Sequence, residues 1–302
     1  MDIQISALSS ERLEDFKAYC RKHRQEVDDS FLYEEDLTEF QIHEEHPTYI
    51  AVNREGELIG TASIIADAYQ RKGLQARFRI LHSETGDLAV YRRLLDEIVK
   101  HGEGLDKMFI FVPSVNPGLM EIVPQLGFQV ERYSFLLVNE QLEPVPYEIP
   151  KGYSLRGFRP GEDEGAWCAV RNAGFSQLKG SQTPITPDMA AKYAKEADYL
   201  DGGMIFLVHE GRPVGIVRCS DDEYLDAPIM NIGSLALLPE YQGKGLGRLL
   251  LRRAMEFGRE SGYHRTILCV NAENERAKAL YLQEGFKEVE YAVNYRLDLR
   301  CR

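Results

Sequence analysis

The sequence predicts a mixed α/β fold (α+β in character) built twice in tandem. Each domain would be a central mixed sheet flanked by helices, the first over 1–145 and the second over 146–302. Three observations carry this. A buried strand, a glycine loop and an amphipathic helix succeed one another across 231–257. A further strand and helix occupy 266–286, and weaker copies of these patterns recur in the first half. The length, 302 residues, is about twice that of a typical domain.

The strand is "NIGSLALL" (231–238), ended by Pro239. Beyond it, "YQGKGLGRLL" (241–250) sets Gly243, Gly245 and Gly247 at alternate positions. Leu246, Leu249, Leu250, Ala254 and Phe257 then recur at helical spacing, with Arg248, Arg252 and Arg253 on other faces. The first-turn N–H groups of a helix lack internal partners and carry the positive end of its dipole. Glycines let an anion reach them with no Cβ in the way, so the unit reads as a phosphate cradle. It is not a nucleoside-triphosphate loop, because Lys244 is followed by Gly245 rather than Ser or Thr. Nor is it a dinucleotide fingerprint, whose third glycine would fall on Arg248.

"TILCVNAENERAKALYLQEGF" (266–286) gives a strand, then a helix capped by Asn274 and stopped by Gly285. Asn274 and Tyr281 lie seven residues apart and so share one helix face.

In these two segments the chain resembles the GNAT superfamily of acyl-CoA-dependent N-acyltransferases. The family's glycine motif, Gln/Arg-x-x-Gly-x-Gly/Ala, is met by Gln242, Gly245 and Gly247. Its second motif, Asn-x-x-Ala-x-x-Leu-Tyr-x-x-x-Gly-Phe, is met by Asn274, Ala277, Leu280, Tyr281, Gly285 and Phe286. The resemblance implies two tandem GNAT-like domains with acetyl-CoA as co-substrate. It implies that main-chain N–H groups from Gly243 through Lys244, Gly245, Leu246 and Gly247 to Arg248 hold the pyrophosphate, beside Gln242. The strand at Leu235, Ala236 and Leu237 would pair with the pantetheine arm, and the N–H near Leu237 would stabilise the oxyanion. Asn274 would contact the cofactor, and Tyr281 would protonate the departing thiolate.

The first half repeats the pattern. "YIAVNREGELIGTASI" (49–64) matches "MIFLVHEGRPVGIVRC" (204–219), with Gly60 answering Gly215. "FVPSVNPGLMEIVPQLGF" (111–128) matches "CVNAENERAKALYLQEGF" (269–286), with Asn116 answering Asn274 and Gly127 answering Gly285. The working parts are missing. The loop reads "SETGDLAVYRRLL" (83–95), with Glu84 and Asp87 to repel a pyrophosphate, and Val123 stands at the Tyr281 position. One cofactor site per chain, in the second domain, is the expectation. "QLEPVPYEIPKG" (141–152), with three prolines, reads as the linker.

A tandem pair with a degenerate first half is similar to the mycothiol synthase-like acetyltransferases. The likeness extends to "GYSLRGFRPGEDEGAWCAVRNAGF" (152–175) and to an insert on the substrate side at 179–208. Those enzymes imply a glutamate base near the start of the strand before the loop, where this chain has Asn231. No base is assigned on that ground. The acidic connection "DDEYLDA" (221–227) borders the acceptor side in this fold, so Asp221, Asp222 and Glu223 are candidates to attract an amine.

Other features set limits. A net charge of −12 argues against nucleic-acid binding, and no apolar run approaches a membrane span. Five cysteines without a CxxC read as reduced thiols of a cytoplasmic protein. "HEEH" (43–46) spaces its histidines three apart rather than the four of a zinc helix, so no metal ligand is expected. Trp167 reads as a core anchor. The expected activity is transfer of an acetyl group to a primary amine on a small molecule, with a homodimer left open. Acetylation of a protein or peptide amine, and a non-catalytic acyl-CoA sensor, are the alternatives.

Overall fold

The structure, a computed structural model, describes residues 3–300. From the N terminus the elements are β1 (Gln4–Ala7), α1 (Leu13–His23), α2 (Glu34–Glu39), β2 (Thr48–Val52), β3 (Leu58–Ile65), α3 (Ala68–Lys72) and β4 (Gln75–Ser83). They continue with α4 (Leu88–Ile98), β5 (Lys107–Pro113), α5 (Pro117–Gln125), β6 (Gln129–Asn139), β7 (Tyr153–Gly157), α6 (Glu164–Phe175) and α7 (Pro187–Tyr193). The chain ends with β8 (Tyr199–His209), β9 (Arg212–Glu223), β10 (Pro228–Ile232), β11 (Ala236–Leu237), α8 (Leu246–Glu260), β12 (Thr266–Asn271), α9 (Glu275–Gln283) and β13 (Lys287–Asp298).

Two compact units result, and they are not the sequence halves 1–145 and 146–302. One comprises 1–134 with 290–302, the other 135–289. The reason is the last strand. From Ala292 to Asp298, β13 pairs antiparallel with β5, for example Val293 with Val112 and Tyr295 with Ile110. The backbone donors and acceptors on that side of β5 are thus satisfied by the end of the chain. The second unit in turn takes the end of β6 beside β12.

The first unit's strand order is β1-β2-β3-β4-β5-β13. Helix α4 seats Val90, Tyr91, Leu94, Leu95 and Ile98, recurring at helical spacing, in a core with Ile64, Phe78, Met108 and Val112. A second cluster, Phe16, Cys20, Leu37 and Phe40 with Ile50 and Ile80, holds α1 and α2. Strand β3 accordingly reads LIGTASII, buried along nearly its whole length.

The second unit's order is β6-β12-β10-β9-β8-β7, with β11 pairing β9 off that path. Trp167 is fully buried and meets Phe158 and Phe206 edge-on, so it is the core anchor expected. Helix α8 buries Leu246, Leu249, Leu250, Ala254 and Phe257, each large side chain contributing roughly 1.5–3 kcal/mol. Gly215 is required beneath it, because a Cβ there would lie 2.6 Å from Leu237 and 2.9 Å from Leu250.

The proline-rich stretch 141–152 has no regular structure yet is docked on the second unit. Leu142 is buried with its N–H on the His264 carbonyl, Tyr147 donates to Glu256 at 2.6 Å, and Arg252 holds the Pro146 carbonyl. Among the described residues, no helix is long and apolar enough to cross a membrane.

Candidate active site

Strand 231–238, expected to be continuous, is broken. Strand β10 ends at Ile232, the chain bulges over 233–235, and β11 resumes at Ala236. Parallel pairing of β10 with β12 is confined to Met230 with Thr266 and Asn231 with Ile267, after which the strands part. Leu235 lies in the bulge, its N–H on the Gly233 carbonyl. Strand β11 pairs with β9 through Ala236–Ile216 and Leu237–Gly215. The Leu238 N–H reaches the Val214 carbonyl. Antiparallel alternation therefore turns the Leu237 N–H and carbonyl away from β9. On that open side Gln242 donates its side-chain N–H to the Leu237 carbonyl at 3.1 Å. Gln242 thus braces the strand's free edge.

The loop that follows has the geometry its glycines suggest. Gly243 and Gly245 adopt φ of +74° and +79°, left-handed values that glycine alone takes at little cost. Gly245 is the N-cap of α8 and supplies no side-chain acceptor to its first turn. No heavy atom lies within 4 Å of a Cβ built there, so the approach to the helix N-terminus is open. Leu246 is buried in the core and Gly247 sits between Leu237 and Leu280, so both offer only their backbone N–H to a ligand. The Lys244 ammonium rests over the Tyr241 ring, and Tyr241 in turn bonds His209. Arg248 reaches Glu284 at 3.1 Å, and Arg252 makes a bidentate contact to the same buried carboxylate. These pairs fasten α8 to the end of α9. One cation went unnoticed in the sequence: the Arg276 guanidinium stands 3.9 Å from a Cβ on Gly243.

Asn274 caps α9, its Oδ1 accepting from the Ala277 N–H at 3.3 Å, and leaves its amide NH₂ to donate. Tyr281, two turns further along the same face, is buried against Phe286. Burial, then the nearby Cys269 thiol, push its phenol up to about 12. Gly285 follows at φ +90° and ends the helix as expected.

At the closed end of the parting strands lies an acidic group. Asn231 donates its amide to Asp222 at 2.8 Å across the β9–β10 pair. Burial pushes the Asp222 carboxyl above its usual range, against the stabilising bonds from Asn231 and the Glu223 N–H, and Asp198 and Asp221 raise it further. Asp221 is engaged by the Tyr263 hydroxyl at 2.5 Å, and Glu223 ends β9. The Asp222 side chain is thus bonded to the strand that leads into the loop.

Residues 173–286 match a family model described as the acetyltransferase (GNAT) family. A mycothiol acetyltransferase of Saccharomonospora viridis is 27% identical over 252 residues, 79% of each chain. One from Paenarthrobacter aurescens is 26% identical over 243 residues, covering 79% of this chain and 74% of its own. Over 173–286 the chain carries a GNAT acetyltransferase domain. The fold agrees: a GCN5-related N-acetyltransferase from Sphaerobacter thermophilus superposes with a TM-score of 0.72 at 18% identity, over 98% of this chain and 95% of its own. A tandem GNAT protein from the clavulanic acid biosynthesis pathway gives 0.69 at 15% identity, over 98% of both. The chain is an acetyl-CoA-dependent N-acetyltransferase. Its open loop, without a Cβ at Gly243, Gly245 or Gly247 and flanked by Lys244 and Arg276, fits the anionic end of that co-substrate.

The acetyltransferase's first unit shows what happens to the same scaffold without that fit. Strands β4 and β5 pair only from Gln75 to Arg77 and then part, as β10 and β12 do. Here Asp87 caps α4, its carboxylate 2.8 Å from the Ala89 N–H, where the other unit has Gly245. A side chain already occupies the helix's anion position. Glu84 is bound by Lys22 and His23, and Val123 is fully buried. Asn116 caps α5 through Oδ1 and gives its amide N–H to the Glu26 carbonyl at 2.8 Å. The chain's own backbone lies against the asparagine that answers Asn274.

Proposed function

We propose that the acceptor is a primary amine on a small molecule and that Asp222 and Tyr281 move the protons. The observation that carries this is the Asp222–Asn231 contact, which places a carboxylate of raised proton affinity where the strands part. Asp222 takes the proton from the acceptor ammonium, since an alkylammonium has no lone pair. The amine nitrogen then bonds to the thioester carbonyl carbon, and the Leu237 N–H faces the developing oxyanion. As the carbon–sulfur bond breaks, the Tyr281 phenol gives its proton to the thiolate; the proton left on the amide nitrogen and the one held by Asp222 pass to solvent, from which Tyr281 recovers its own. Gln242 and the N–H groups from Gly243 to Arg248 hold the pyrophosphate. The Leu235–Leu237 strand edge and the Asn274 amide hold the pantetheine arm. The first unit supports this last role, because there Asn116 binds an amide carbonyl.

The small-molecule reading draws on the two relatives named as mycothiol acetyltransferases. Acetyl-CoA turnover across amines, amino-sugar thiols, aminoglycosides and peptides tests it. Turnover confined to peptides would reject it, and none with any amine would favour an acyl-CoA sensor.

Two binding predictions accompany this reading. Gly245→Glu should weaken acetyl-CoA binding at least tenfold, about 1.4 kcal/mol, because it adds a negative charge and forces a side chain to φ +79°. Gly245→Ala carries the strain without the charge and should lose less. Unchanged calorimetric affinity in a folded Gly245→Glu protein would remove the pyrophosphate from this loop. Titration of the wild type with acetyl-CoA should give a stoichiometry near one per chain, because Asp87 fills the corresponding position of the first unit. A value near two would make both units binding sites.

A further inference from the structure

We propose that His23, Glu26 and His82 form a site for a divalent metal ion, suited to zinc, which fastens the first unit's vestigial cleft. His23 ends α1, Glu26 lies in the turn after it, and His82 is on β4 just before that strand stops. One ligand atom from each lies within 4.8 Å of the other two. His23 presents Nδ1 to Glu26 Oε1 at 2.8 Å, and His82 presents Nε2 to Glu26 Oε2 at 3.4 Å. Ligand atoms around a tetrahedral zinc ion, with bonds of about 2.1 Å, sit about 3.4 Å apart, so small rotations admit the ion. Three protein ligands leave one position for water.

The surroundings are those of metal-bound imidazoles rather than of a plain hydrogen-bond cluster. Each histidine's remaining nitrogen has a partner: His23 Nε2 meets Glu84 at 2.9 Å, and His82 Nδ1 meets the Tyr19 hydroxyl at 2.8 Å. With the ion bound, these contacts hold the tautomers that leave His23 Nδ1 and His82 Nε2 as lone pairs, with the Tyr19 proton directed to the Ile59 carbonyl at 3.2 Å. Both rings are buried and pack tilted by 32° with centroids 4.4 Å apart, so neither ligand swings freely. Glu26 is exposed and gives the ion access from solvent. His82 Nε2 faces a Glu26 carboxylate oxygen across 3.4 Å. A cation resolves that opposition. On binding, the proton shared by His23 Nδ1 and Glu26 passes to solvent and the metal takes its place. Lys22, on Glu84 at 2.6 Å, keeps that outer carboxylate oriented.

The test uses the full chain, stripped with a chelator, dialysed and titrated with Co²⁺, then with Zn²⁺ in competition. One Co²⁺ per chain is expected, with the visible absorption of a four-coordinate ion, displaced stoichiometrically by Zn²⁺. His23→Gln/His82→Gln should abolish this binding. Glu84→Gln removes no ligand and should weaken it by about 10–100-fold. Should the double variant fail to fold, imidazole resonances of the wild type, shifted at His23 and His82 by Zn²⁺, replace it. Absence of stoichiometric metal in the wild type overturns the site. So does undiminished binding in the folded double variant, or resonances at those two histidines that Zn²⁺ leaves unmoved.

Discussion

Tyr281→Phe is expected to lower turnover by ~10²–10⁴-fold, the usual worth of general acid assistance, with acetyl-CoA affinity nearly unchanged. The two readouts separate because phenylalanine preserves the packing against Phe286 and removes only the hydroxyl. The pH dependence adds a second check. Tyr281's phenol, at about 12, stays protonated throughout the neutral range, so its ionisation should cause no alkaline loss of rate below about pH 10. Wild-type turnover in Tyr281→Phe, measured with an active acceptor, would leave the residue as a packing element of α9.

Asp222→Asn should reduce turnover at neutral pH by ~10²-fold or more, because the isosteric amide cannot accept the ammonium proton. The sign with pH follows from the raised carboxyl. In the wild type the base is present above its pKa and is lost as pH falls through it, so the acid limb should lie above the ordinary aspartate range. In Asp222→Asn that limb should vanish, and the rate should climb with pH as free amine appears. Asn231→Ala removes a hydrogen bond that favours the ionised carboxylate, and should move the wild-type acid limb upward. An Asp222→Asn enzyme with a wild-type profile would take Asp222 out of the chemistry and leave it a fold residue of the β9–β10 pair.

The sequence made local features legible and cross-strand ones obscure. Gly243, Gly245, Asn274 and Gly285 announce themselves because a left-handed turn or a cap depends on one residue and its immediate neighbours. Repeat spacing likewise revealed the degenerate loop, where Asp87 does cap the helix. The Asp222–Asn231 bond escaped because it depends on which strands pair and in what register, as does the approach of Arg276 to Gly243. The break at 233–235 was hidden by a run of residues apolar enough for an unbroken strand. His23 and Glu26 stand on α1 and the turn after it and His82 on β4, so no local spacing could join them. The unit boundary was missed for a related reason: β13 follows α9 directly in the chain, yet most of it belongs to the other unit's sheet.

That displaced strand also bears on how the polypeptide can be made. The partner β5 needs, residues 292–298, leaves the ribosome only after the whole of 135–289. At ~5–20 residues per second, the intervening 135–289 takes roughly ten to thirty seconds to synthesise. Throughout that interval the nascent first unit carries an open sheet edge, available to neighbouring chains. Expression of either sequence half alone makes the vacancy permanent. A fragment cut at 145 lacks its closing strand, and one begun at 146 lacks the end of β6 while bearing a strand with no sheet to join. Although its halves repeat one pattern, the chain is not divisible at its linker.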